Sequence, residues 1–393
     1  MDKKNKNPNV PNLRFSSFAD SFRIYTLKEV LQRVSFPVTV EENKLYYQIG
    51  IRSHSKGIFY KEAEIGKQIG NKRIFWIEPN CLILNIVFAW EQAVAKTSEK
   101  EVGMVASHRF PMYKVLNNSL DYIVDFFKTE KGKQLLQMAS PGGAGRNKTL
   151  NQDFFLNSKI YLPSLNEQLK TSELIELIEG RIETQIKIIN SIKSQIRTIN
   201  NHIAFDSTSS ELSIASLFHV KTSNKLVESN TGKFCIVDMG TIDANGNYII
   251  GKYTDDETSL IPYGTLVMPK DDIGGGKIIC KTMCINASNK YALSDHVFAL
   301  KLKNDNYNPV YFSALINSQY NNHKLKKLVT GSAQLGINQE NLNRYKLKFS
   351  DSLELQHKYS ELIIRLNEKL IVEKRLLDLF SSQKKYLLKN MFV

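Results

Sequence analysis

Two long segments of this sequence are copies of each other about 188 residues apart, and that relation constrains the fold more than any bulk property does. One runs from about Gln168 to Ile203 and the other from about Gln356 to Met391. Their openings, Gln168-Leu169-Lys170-Thr171-Ser172-Glu173-Leu174-Ile175 and Gln356-His357-Lys358-Tyr359-Ser360-Glu361-Leu362-Ile363, align almost letter for letter. In the first, apolar residues fall at Ile175, Ile178, Ile182, Ile189, Ile192, Ile196, Ile199 and Ile203, with a polar slot at Gln185. The second gives Ile363, Leu366, Leu370, Leu377, Phe380, Leu387 and Met391, with polar slots at Glu373 and Lys384. Steps alternating between three and four make a heptad seam, which needs a partner helix. If the two helices pair, Gln185 and Glu373 meet near the middle, a polar layer that costs stability and fixes register. That contact suits either direction. Chain order favours an antiparallel pair, because the segment leaving the first helix returns into the second. Each helix would be roughly 55 Å long at 1.5 Å per residue.

The repeat continues outside the helices. Leu27-Lys28-Glu29-Val30-Leu31 matches Ile214-Ala215-Ser216-Leu217-Phe218, an amphipathic opening helix in both copies. Lys56-Gly57-Ile58-Phe59 matches Asn245-Gly246-Asn247-Tyr248, and Asn80-Cys81-Leu82-Ile83 matches Gly264-Thr265-Leu266-Val267, each a turn running into strand residues. Ser107 falls opposite Ser294, and Asp121-Tyr122 opposite Val310-Tyr311 at the start of a helix. Leu150-Asn151-Gln152-Asp153 matches Ile337-Asn338-Gln339-Glu340, and Lys159-Ile160-Tyr161-Leu162 matches Lys346-Leu347-Lys348-Phe349. The expected fold is α+β: two mixed α/β domains in tandem pseudo-repeat, joined by two long helices that form an antiparallel coiled coil. The expected boundaries are 1–165 and 353–393 at the ends, with 166–206 and 207–352 between them.

Composition narrows the partners. Lys and Arg total 53 against 39 acids, a net charge of +14, which favours a polyanion such as nucleic acid, although a merely basic soluble protein has the same balance. No apolar run reaches the ~18 residues of a membrane span, and no apolar h-region follows the charged N-terminus, so a cytoplasmic, non-membrane protein is expected. Cys81, Cys235, Cys280 and Cys284 form no CxxC pair, and the histidines show no ligand spacing, so no metal site is expected.

The segment Ile160-Tyr161-Leu162-Pro163-Ser164-Leu165-Asn166-Glu167-Gln168 resembles the specificity subunits of type I restriction–modification systems, in which a strand, a Leu-Pro step and a Glu-Gln pair open a long helix. The second copy departs from this, with Phe349-Ser350-Asp351 and Leu355-Gln356 at those places. The ending Gln383-Lys384-Lys385-Tyr386-Leu387-Leu388-Lys389-Asn390-Met391-Phe392 and the leader Asn9-Val10-Pro11-Asn12-Leu13-Arg14-Phe15 also resemble the family, so the likeness spans nearly the whole chain. It implies two target-recognition domains, each reading half of a split double-stranded DNA site. The spacer helices would set the gap and dock two adenine-N6 methylation subunits, with Ile182, Gln185, Ile189, Leu370, Glu373 and Leu377 at the seam and docking region. It also implies S-adenosylmethionine, ATP and Mg2+ in the methylation and restriction partners, and no cofactor or catalytic residue in this chain.

Candidate DNA contacts follow from residue chemistry. The loop Ser140-Pro141-Gly142-Gly143-Ala144-Gly145-Arg146-Asn147-Lys148-Thr149 combines glycines, which allow close backbone approach, with Arg146, Asn147 and Lys148 as donors to phosphates or base edges. Its counterpart, Gly331-Ser332-Ala333-Gln334-Leu335-Gly336, offers Ser332 and Gln334. Secondary candidates are His108, Arg109 and Ser53-His54-Ser55-Lys56 in the first half, Lys270, Lys277 and His296 in the second, and the basic cluster Lys324, Lys326 and Lys327.

Catalytic motifs are incomplete. Gly274-Gly275-Gly276-Lys277 lacks the first glycine and the Ser/Thr of a P-loop, so it shapes a turn. Asn308-Pro309-Val310-Tyr311 lacks one proline of the amino-methyltransferase motif, and Glu42-Asn43-Lys44 with the remote Asp20 is no more than a nuclease fragment. The reading is a noncatalytic DNA-recognition subunit. Its rival is a coiled-coil assembly scaffold without DNA specificity.

Overall fold

A computed structural model describes residues 10–143, 148–205, 210–243, 248–249, 251–332 and 334–393. The chain divides into two units, Met1–Thr184 with Leu377–Val393, and Gln185–Leu376. The helices Leu165–Phe205 and Leu353–Asn390 are each shared between the units.

The expected repeat is present at the level of strand order. In the first unit a four-stranded antiparallel sheet runs Leu31–Val34, Met112–Val115, Leu82–Leu84, Val94–Lys96. The second unit has the same order in Phe218–Lys221, Val297–Leu302, Leu266–Pro269, Met283–Cys284. A two-stranded ribbon closes each copy, Arg23–Thr26 on Lys159–Leu162 and Ser210–Ser213 on Lys346–Phe349. The opening helices are single turns, Leu27–Val30 and Ile214–Leu217. Asn80 and Gly264 both adopt positive φ just ahead of the strands Leu82–Leu84 and Leu266–Pro269. Asn245, Gly246 and Asn247 lie outside the described residues.

The seam is occupied as its periodicity requires. In the second unit Ile189, Ile192, Ile203, Ile363 and Leu370 are buried, and the Gln185 amide donates to the Glu373 carbonyl at 3.0 Å and to its carboxylate. The Tyr359 hydroxyl meets His202 Nδ1 at 2.9 Å. In the first unit Glu179 pairs with Lys384 at 2.8 Å, and Arg181 lies 6.0 Å from the Phe380 ring. Within each unit, then, residues later in one helix meet residues earlier in the other, so the pairing is antiparallel. Lys384, one of the polar slots of the seam, is satisfied by Glu179, which also takes Lys128 at 3.0 Å, while Lys128 reaches Asp125 at 2.8 Å. Burial pushes the Asp125 carboxyl up to about 6, and Lys128 only partly opposes that shift.

One buried glutamine per copy ties the long helix to its domain. The Gln168 carbonyl oxygen accepts the Ser119 N–H at 2.9 Å, and its amide donates to the Pro163 carbonyl at 3.0 Å. Gln356 does the same with Asn308 N–H at 3.0 Å and the Ser350 carbonyl at 2.8 Å. Each glutamine thus joins the end of the closing strand to the start of the helix Leu120–Lys128 or Pro309–Asn317, satisfying backbone groups that burial would otherwise leave unpaired. Glu167 has a separate role: it accepts both Arg14 nitrogens at 2.7 Å and so anchors the leader, whose Leu13 N–H also bonds the Asn390 carbonyl at 2.9 Å. Leu355 stands at this place in the second copy.

The Pro-to-Ser departure between the copies has a physical consequence. The Ser350 N–H donates to the buried Tyr311 hydroxyl at 3.1 Å. Pro163 has no N–H, and the matching Tyr122 hydroxyl is buried without a partner, its ring 4.7 Å from that of Phe392. Tyr311→Phe is therefore expected to destabilise the second unit by about 1 kcal/mol, whereas Tyr122→Phe is expected to leave the first unit unchanged or more stable. Chemical denaturation of the two variants checks this, and equal losses would contradict the assignment.

Candidate nucleic-acid interface

Two backbone hydrogen bonds and a helix cap fix the framework of each candidate surface, and they recur in both units. In the first, Ile86 N–H bonds the Arg109 carbonyl at 3.0 Å and Leu150 N–H bonds the Ile86 carbonyl at 2.8 Å. In the second, Lys270 N–H bonds the His296 carbonyl at 3.0 Å and Ile337 N–H bonds the Lys270 carbonyl at 2.9 Å. Asn151 and Asn338 then cap the helices Gln152–Asn157 and Gln339–Arg344, accepting N–H groups at 2.9 and 2.7 Å. His296 is thus the positional equivalent of Arg109, and Lys270 that of Ile86. The frame is common, and the side chains it presents differ.

In the first unit Arg146 and Asn147, with Ala144 and Gly145, lie outside the described residues. Lys148 is described, with its ammonium 4.9 Å from the Trp90 ring centre. Trp90 sits in the turn Ala89–Glu91, held by its indole N–H on the Val87 carbonyl at 3.2 Å. The turn Ser53-His54-Ser55 docks on the same segment, His54 N–H on the Glu91 carbonyl at 2.6 Å and the Ser53 hydroxyl on the Glu91 carboxylate at 2.8 Å. Lys148 and Ser53–Ser55 therefore share one neighbourhood, and His108 and Arg109 are exposed beside Ile86. Trp90 was not singled out from the sequence, since a lone aromatic carries no spacing signal.

The second unit brings two loops together. Asp271–Asp272 pairs with Leu335–Gly336, and Thr330 and Gly336 exchange backbone bonds at 2.8 Å, closing a short hairpin whose exposed Ser332 and Gln334 lie near its tip. Gly331 adopts φ +99°, and a Cβ there would meet the Gln334 carbonyl oxygen at 2.0 Å, so this turn requires glycine. The second loop is Ile273–Ile278. Buried Asp272 accepts the N–H groups of Gly274 at 2.5 Å, Ile278 at 2.8 Å and Ile279 at 3.2 Å, which holds its carboxyl below the usual range despite burial. The anion hollow of this glycine-rich loop is filled by the protein's own carboxylate, which explains physically why Gly274–Lys277 is a turn and not a phosphate cradle. Lys277 is left exposed on the loop, and Lys326 donates to the Gly276 carbonyl at 2.6 Å.

His296 is held rather than free. Its Nδ1 lies 2.8 Å from Asp271 and its Nε2 3.7 Å from Asp295. The hydrogen bond to Asp271 raises its pKa above the ordinary histidine value, against partial desolvation and with help from Asp295, Asp238 and the Asp271 charge. Other sequence suggestions resolve into structure. Asn308 caps its helix by accepting Val310 N–H at 3.0 Å, with Pro309 in the first turn. Burial pushes the Cys280 and Cys284 thiols up to about 12. Among the described residues no cluster of His, Cys, Asp and Glu could hold a metal, and no helix is long and apolar enough to cross a membrane.

Residues 208–379 match the family profile described as type I restriction modification DNA specificity domain. Over these residues the chain is similar to the DNA specificity domain of type I restriction–modification systems. Its fold resembles the S subunit of a type I restriction–modification system from M. genitalium, with a TM-score of 0.63 at 12% identity over 98% of this chain and 99% of that one. A structure titled for complex assembly and conformational transition of the type I R-M system gives a TM-score of 0.56 at 11% identity, covering 93% and 96%. The HsdS subunit from Thermoanaerobacter tengcongensis gives 0.46 at 12% identity, covering 94% and 96%. No curated protein sequence matches.

Because His296 has a raised pKa, the Asp271 pair contributes stability fully below the unfolded histidine value near 6.5 and loses it as pH rises through the folded pKa. Denaturation of the second unit followed from acid to alkaline pH is therefore expected to show a decline in stability that His296→Gln removes. Identical pH profiles for the two proteins would contradict this.

Proposed function

We propose that the chain is the DNA-recognition subunit of a type I complex, with each target-recognition domain, 1–165 and 207–352, reading one half of a bipartite duplex site. What carries this reading is the shared hydrogen-bonded frame, Arg109-Ile86-Leu150 against His296-Lys270-Ile337, which presents different side chains at equivalent places. A common frame with divergent loops is what reading two unequal half-sites demands, since phosphate contacts position a protein and base-edge contacts specify the sequence. In the first domain the reading groups are Arg146, Asn147 and Lys148 with His108 and Arg109. In the second they are Ser332, Gln334 and Lys277.

The helices 166–206 and 353–393 set the gap between half-sites. Seam residues such as Ile189 and Leu370 are consumed by pairing, whereas each unit leaves other apolar side chains exposed on its helices. Among these are Leu177, Leu379 and Tyr386 in the first unit and Ile186, Ile371 and Val372 in the second. One exposed set per unit suits two methylation subunits. Those partners and the restriction subunits bring the S-adenosylmethionine, Mg2+ and ATP chemistry, in the cytoplasm where the chromosome is.

The test is Ser332→Ala with Gln334→Ala in the assembled methylation complex, scored on duplexes altered in one half-site at a time. Discrimination at the second half-site is expected to fall by about 1–3 kcal/mol per lost base contact while the first half-site is read as before. Equal loss at both halves would assign the hairpin to folding or assembly. Absence of salt-dependent DNA binding by the unaltered complex would favour a scaffold.

A further inference from the structure

The helix Gln319–Lys326 and its counterpart Glu130–Met138 begin alike, with Ser318 and Thr129 accepting the N–H groups of Asn321 and Gly132, and both bury a leucine completely, Leu325 and Leu136. This register places His323, Lys324, Lys326 and Lys327 where the first unit has Gln134, Leu135, Gln137 and Met138. One copy has three lysines and a histidine at four positions where the other has glutamine, leucine and methionine. In the first unit the helix is packed against the turn Ala89–Glu91. In the second, His323, Lys324 and Lys327 line an open cavity of about 430 Å3 together with Phe205 and Tyr320.

The charges in this region are not neutralised by the protein. No carboxylate pairs with Lys281, Lys324, Lys326 or Lys327 among the described residues. Burial, and after it the charge of Lys326, push the Lys281 ammonium below the ordinary lysine range. Lys324 is fixed over the Tyr320 ring, 4.2 Å from its centre, and Lys326 is fixed by the Gly276 carbonyl of the loop that carries Lys277. Lys327 stands three residues before Thr330, where the reading hairpin begins. Lys326 thus reaches the loop of the candidate interface, and Lys327 precedes its hairpin by three residues.

We propose that Lys324 and Lys327, with His323 beside them, clamp backbone phosphates of the duplex held by the second unit, a sequence-independent anchor at positions where the first unit has Leu135 and Met138. The proposal rests on the DNA-recognition reading and adds an asymmetry to it. At these two positions the second domain adds phosphate contacts that the first, with leucine and methionine there, does not make.

The experiment measures affinity of the assembled methylation complex for its target duplex across salt, for the unaltered protein, Lys324→Gln with Lys327→Gln, and Lys324→Arg with Lys327→Arg. Loss of two phosphate contacts is expected to make the slope of log affinity against log salt shallower by roughly 1–2 units, with half-site preferences unchanged and the arginine variant retaining the slope. An unchanged slope in the glutamine variant overturns the clamp, and so does a changed sequence preference, which would make these residues base readers. Failure of the unaltered complex to bind DNA sinks the underlying reading instead, so the two failures are distinguishable. Both side chains are exposed, and circular dichroism of the variants checks that the fold is kept.

Discussion

The antiparallel seam between Leu165–Phe205 and Leu353–Asn390 is the constraint on which the remaining structure depends. Its polar layer is formed by Gln185 and Glu373, whose contact fixes which turn of one helix faces which turn of the other. Sliding either helix by one turn would bury Gln185 against Leu370 or Leu377 and leave its amide unpaired, at a cost of about 1–3 kcal/mol. Register in turn decides where Gln168 and Gln356 stand, and these glutamines tie each helix to the closing strand and first long helix of its domain. The spacer and the recognition frames are thus one mechanical system in each unit.

The duplication is close to symmetric in its buried bonds and asymmetric at its surface. Strand order, helix caps and the glutamine ties recur, while Arg109 gives way to His296, Ile86 to Lys270, and Leu135 and Met138 to Lys324 and Lys327. Where a buried bond does differ, the cause is local. Pro163 cannot donate the N–H that Ser350 gives to Tyr311, so Tyr122 carries an unsatisfied hydroxyl. Arg14 and Glu167 form a partly buried ion pair that holds the leader onto the first unit, and the second copy has Leu355 there.

Much of this was legible in the sequence because it rests on periodicity. Heptad spacing gave the seam, its partner and the Gln185–Glu373 layer. Paired anchors such as Leu150-Asn151-Gln152 and Ile337-Asn338-Gln339 located the domain frames, since caps and strand endings are local. Contacts that join distant segments were not legible. Nothing in the spacing of Asp271, Asp295 and His296 says that the histidine is held by the first, and the unpaired Tyr122 hydroxyl appears only when Pro163 is brought beside it. The glycine run Gly274–Gly276 looked like a turn, but the reason, an aspartate filling its own anion hollow, needed the fold.

The central claim is that two unequal domains on one helical ruler read a split target. Mapping methylated adenines in DNA exposed to the assembled complex tests it most directly. The account requires a non-palindromic site of two short specific stretches separated by a fixed, unread gap, with modification in each stretch. Methylation confined to one contiguous palindrome, or spread without sequence preference, would contradict it.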